Sequence, residues 1–87
     1  MEVSLDVSML EPCEPLDRTL ESVEQLKEGD YLLVIHRKEP LLLYPLLVQR
    51  GFCYRLRKGG PSVYQVLIWR EQDAAAEAAV NKRLAGN

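Results

Sequence analysis

The sequence predicts an α+β domain, a two-layer α/β sandwich in β-α-β-α-β-β order that carries an alanine-rich helix at its C-terminal end. Three observations predict it. Polar and apolar residues alternate from Glu2 to Val7, as a half-buried strand requires. Leu16, Leu20, Val23 and Leu26 recur at the spacing of one helical face. The glycine-bearing stretch Lys58-Gly59-Gly60-Pro61-Ser62 separates two strand-like runs, as a hairpin connection does.

The first strand places Val3, Leu5 and Val7 toward a core. The first helix is expected from Pro15 to Glu28, because proline suits the first helical position and Asp17 complements the positive end of the helix dipole. Gly29 then stops it. Tyr31–Ile35 is short and continuously apolar, the pattern of a central strand covered on both sides. A second helix lies within Pro40–Arg50, beginning near Tyr44 or bending at Pro45, and Gly51 ends it. Phe52–Arg57 and Val63–Trp69 form the hairpin, whose glycines permit positive φ at the tip. From Glu71 to Leu84 the chain is alanine-rich, with Glu71 and Asp73 early and Lys82 and Arg83 late, a polarity that fits the helix dipole.

A right-handed crossover makes the first two strands parallel neighbours, and the last two pair antiparallel. The result is a four-stranded mixed sheet with two helices on one face. Residues 1–70 constitute the domain and 71–87 its helical tail. If Tyr54, Leu56, Val66 and Ile68 face the helices, then Cys53, Arg55, Arg57, Gln65, Leu67 and Trp69 face away, joined by either Leu32 and Val34 or Leu33 and Ile35. That outer face is too apolar to be left to water. Either the chain's own tail covers it, or a protein partner or second copy does; Cys53, Arg55, Arg57 and Trp69 are the candidate outer-face contacts.

The 87 residues hold one modest core, with 47% hydrophobic and 28% charged side chains in the ordinary range for a soluble chain. A net charge of −2 argues against nucleic acid as a partner. No apolar run approaches the roughly 20 residues needed to span a bilayer, and no secretory signal is visible. The two cysteines form neither a CxxC pair nor a disulfide framework, so a reducing cytoplasm is the expected compartment. One histidine and two separated cysteines give no zinc site.

Pro12-Cys13-Glu14-Pro15 falls at the junction of the first strand and first helix. Unpaired N–H groups at a helix start favour a thiolate, which makes Cys13 the candidate thiol site. Glu11, Glu14 and Asp17 oppose it, since they disfavour another negative charge nearby. Cys53, between Phe52 and Tyr54, reads as a small apolar packer, and His36 as a solvated histidine at a strand end without a triad partner. Gly59-Gly60 is a hairpin tip, because a phosphate cradle needs more glycines and a following helix.

Leu5-Asp6-Val7, Leu10, Pro12-Cys13-Glu14-Pro15-Leu16 and Leu26-x-x-Gly29-Asp30 together resemble the TusA/SirA-like sulfur-carrier domains over about residues 3–70. The chain is more similar still to an uncharacterised bacterial relative of those carriers, the family of the domain of unknown function twenty-two forty-nine. The resemblance implies the same strand and helix order and a small cytoplasmic bacterial protein. In the carriers the sulfur-accepting cysteine falls where this chain has Pro12, which cannot hold a persulfide, and Cys13 occupies the place of their first proline. The expected function is therefore a non-catalytic interaction or regulatory module, with no cofactor, docking a protein partner through the helix-start loop Pro12, Cys13, Glu14 and Pro15 or through the outer sheet face. The alternative is a sulfur or thiol-redox carrier using Cys13. An independent enzyme is not expected.

Overall fold

The computed structural model describes residues 1–8, 14–60 and 63–86. Its elements are β1 (Glu2–Asp6), α1 (Glu14–Glu24), β2 (Tyr31–His36), α2 (Leu43–Gln49), β3 (Phe52–Gly60), β4 (Val63–Arg70) and α3 (Ala74–Ala85). The strands form one sheet in the order β1-β2-β4-β3. β1 runs parallel to β2, while β4 is antiparallel to both β2 and β3.

The alternation of side chains along the strands divides the core in two. On one face Leu32, Val34, Val66 and Ile68 meet Val23 and Leu26 from the α1 side and Leu43 and Leu47 from α2. The predicted α1 stripe is there, with Leu16 and Leu20 partly buried at its margin. On the other face Tyr31, Leu33, Leu67 and Trp69 meet Ala76 and Val80 of α3. The tail is thus the cover of the outer face, and it adds a third layer to the sandwich.

Helix α1 is shorter than the expected run to Glu28. Gln25 and Leu26 donate their N–H groups to the carbonyls of Ser22 and Val23, a tightening of the chain that ends regular helix. Gly29 then takes φ 87°, and Gly51 takes φ 82° after α2, the two positions where only glycine is unstrained. The hairpin glycines do not behave as expected. Neither Gly59 nor Gly60 has positive φ; β3 runs through both, with a register shift between Lys58 and Gly60. That shift puts them at a β-bulge, and a Cβ on Gly59 would stand 3.3 Å from Val63 Cγ1. Pro61 and Ser62 lie outside the described residues.

Asp73 fixes α3 in place. Its Oδ1 accepts from Ala76 N at 3.0 Å, capping the helix, and its Oδ2 accepts from Gly29 N at 2.7 Å. Both bonds favour the ionised carboxylate and hold the Asp73 carboxyl below its ordinary range, the Gly29 bond most of all. At the far end of α3, Arg83 Nε reaches Glu2 Oε1 at 3.1 Å, and Glu2 Oε1 also accepts from Tyr31 Oη at 2.9 Å.

Candidate functional site

Three places answer to the sequence expectations. The first is the helix start. Helix α1 begins at Glu14, so Cys13 directly precedes its first residue in sequence. Pro12 and Cys13 lie outside the described residues, and Glu14 and Pro15 enter as helical backbone.

The second place is the outer sheet face. Trp69 is buried under α3, with Cys53 opposite it on β3 and packed against the same cluster. Contact at Trp69 is therefore made by the chain's own helix. Burial pushes the Cys53 thiol upward, and the carboxylates of Glu71 and Glu77 push it further. Cys53 is a protonated packing thiol at neutral pH, as its apolar neighbours in the sequence suggested. Arg57 Nε and Nη2 both donate to Gln65 Oε1, at 2.9 and 2.7 Å, across the β3–β4 pair. Arg55, opposite Leu67, is exposed.

The third place is His36, where the structure corrects the expectation of a solvated side chain. His36 is only 6% exposed. It shares strand parity with Leu32 and Val34, which turns it to the helix-covered face. Burial lowers its pKa, so the neutral imidazole is favoured, and its Nε2 has no hydrogen-bond partner among the described residues.

A fourth place was missed. The chain entering and forming α2 exposes Leu41 (65%), Leu42 (78%) and Val48 (63%), with Leu56 half exposed on the neighbouring strand. Below them Leu43 and Leu47 are fully buried. Tyr44 stacks on Tyr54 with ring centroids 4.3 Å apart and planes 4° from parallel, which clamps the helix to β3. Tyr44 Oη donates to Glu39 Oε2 at 3.3 Å; burial first, then the Glu39 charge, drives its pKa up to about 12. The signal was present in the sequence: Leu41, Leu42, Leu43, Leu46, Leu47 and Val48 are more apolar side chains than one face of a seven-residue helix can bury.

Opposite this patch, Tyr31, Ala79, Lys82, Arg83 and Gly86 line a shallow cleft of about 420 Å³ at the C-terminal end of α3. Among the described residues no group of three or more His, Cys, Asp or Glu side chains is placed to hold a metal ion. Among the described residues no helix is long and apolar enough to cross a membrane.

A family model described as Uncharacterized conserved protein (DUF2249) matches residues 4–70. No curated protein and no solved structure matches the chain. The matched segment begins within β1, takes in α1, β2, α2, β3 and β4, and stops at the last residue of β4, so α3 lies beyond it.

Proposed function

The chain belongs to the family of uncharacterized conserved proteins DUF2249, and on that premise we propose that it is a non-catalytic interaction module that docks a protein partner. The observation that carries this reading is the cluster of Leu41, Leu42 and Val48, more than half exposed on and beside a helix whose buried side is already satisfied. Single exposed apolar residues are ordinary; three on and beside one short helix, with Leu56 exposed on the strand it packs against, concentrate apolar surface of the kind used for contact. The reading moves the docking surface away from the outer sheet face, which α3 occupies.

The test is affinity capture from a lysate of the native host, with the wild-type chain and Leu42→Asp in parallel. Leu42 is 78% exposed, so the variant keeps its fold and its circular dichroism spectrum. A protein retained by wild type and lost by the variant supports the reading. Identical capture by both sinks it.

A second reading, a TusA/SirA-like sulfur or thiol carrier acting through Cys13, is favoured by one feature. The cysteine adjoins the first residue of α1 in sequence, where backbone N–H groups are unpaired. Labelling by a persulfide donor that disappears in Cys13→Ser would support it, and absence of labelling in the parent protein would end it.

A further inference from the structure

The charges of this chain are sorted along its length, although the total is nearly balanced. Residues 1–30 carry nine acidic and two basic side chains, net −7; residues 31–70 carry one acidic and seven basic, net +6; residues 71–87 carry three acidic and two basic, net −1. The sheet order turns this into an asymmetry in space. β1 lies at one edge with β2 beside it and α1 packed against β2, whereas β4 and β3 form the other side, with α2 packed against β3. The acidic side displays Asp17, Glu21, Glu24 and Glu28, all exposed. The other side displays Arg37 and Lys38 ahead of α2, Arg50 behind it, and Arg55 and Lys58 on β3.

The exposed leucines belong to the basic side. Leu41 and Leu42 follow Arg37 and Lys38 in the connection to α2, and Leu56 lies two residues before Lys58 on β3. Some cations there already have companions: Arg50 Nη1 is 3.6 Å from Glu24 Oε1, and Lys58 Nζ stands 5.6 Å from the Tyr64 ring centre. Glu39 is the single acidic residue between positions 31 and 70, and it accepts from Tyr44 Oη. The surface therefore pairs apolar side chains with an unbalanced positive field.

We infer that the α2–β3 side docks an acidic, amphipathic segment of another protein, its aliphatic side chains against Leu41, Leu42 and Val48 and its carboxylates toward Arg37, Lys38 and Lys58. The inference rests on the interaction reading above and adds the chemistry of the partner. Apolar contact supplies affinity, while charge complementarity supplies orientation and speed of encounter. A second copy of this chain is the poorer occupant. Among the described residues of its acidic side only Met1 and Val3, at β1, are exposed large apolar side chains, while α1 presents Asp17, Glu21 and Glu24, so the leucines would be set largely against charge.

Two synthetic amphipathic peptides test this, identical in their leucines, one bearing glutamate and the other lysine at every polar position. Binding to the full chain is followed by fluorescence anisotropy at low and at physiological salt. The glutamate peptide should bind at least about tenfold more tightly, lose affinity as salt rises, and weaken about tenfold against Leu42→Asp and several-fold against Lys38→Glu. Lys27→Gln, on the acidic side, should bind as wild type does. Equal binding of the two peptides, preference for the lysine peptide, or binding of neither would overturn the inference. The interaction reading has its own measure in Leu42-dependent capture from lysate. Sedimentation with anionic phosphatidylserine vesicles that Leu42→Asp abolishes, or a concentration-dependent dimer that it abolishes, would overturn the inference in favour of a membrane or of a second copy.

Discussion

Leu67 is the sharpest probe of the α3 layer. It lies fully buried in β4, between Leu33 on β2 and Arg55 on β3, and faces Ala76 and Val80. Leu67→Ala removes about three carbons; at about 0.8 kcal/mol for each buried methylene, the lost transfer free energy is roughly 2.4 kcal/mol. The void left behind raises this within the range of about 2–5 kcal/mol seen for buried leucines. In a domain of this size that corresponds to a fall in Tm of at least roughly 10–20 °C. Urea unfolding followed by tryptophan fluorescence measures it directly, because Trp69 is the sole tryptophan and sits in the same cluster. Leu56→Ala, on the same sheet but 40% exposed, should cost less than about 1 kcal/mol. A Leu67→Ala loss as small as that of Leu56→Ala would show that α3 does not cover this face in solution, and the three-layer arrangement would fall.

Three further outcomes are expected. Gly51→Ala should destabilise by about 1–2 kcal/mol, since φ 82° strains any Cβ even though no atom lies within 4 Å of it; calorimetry showing no change would contradict the left-handed turn. His36 has its pKa depressed by burial, so its contribution to stability is fully present above the unfolded value of about 6.5 and is lost as pH falls through the lower folded value. The urea midpoint should therefore drop between pH 7.5 and pH 5.5, and His36→Leu should flatten that slope; parallel slopes would mean an accessible imidazole. Ultraviolet titration should find a tyrosine that ionises only near pH 12 and is missing in Tyr44→Phe, against an ordinary value of about 10.

Sequence reasoning read the fold well where burial is set by periodicity. The α1 stripe, the doubly covered β2 and the antiparallel hairpin follow from spacing alone, because a side chain's face is fixed by its count along the element. The ends of elements were harder. Pro45 sits in the first turn of α2, where its missing N–H costs nothing, as does Pro15 in α1, yet α1 stops five residues before Gly29. His36 was misplaced because a strand end looks solvent-facing in one dimension, while strand parity and the packing of the neighbouring elements bury it. The leucine patch escaped for the opposite reason. An apolar run reads as core, and only the short length of α2 shows that the core cannot take all of it. Charge sorting was hidden by the near-neutral total, which says nothing about where the charges lie.

The Glu2–Arg83 ion pair joins positions 81 apart in sequence and brings the first strand beside the last helix. A short peptide could bridge those two points, so the order of elements is open to circular permutation with new termini cut at the exposed Arg37-Lys38 connection. By the same geometry the whole unit could be spliced into a surface loop of a host protein, since the incoming and outgoing strands of that host would meet it at neighbouring points.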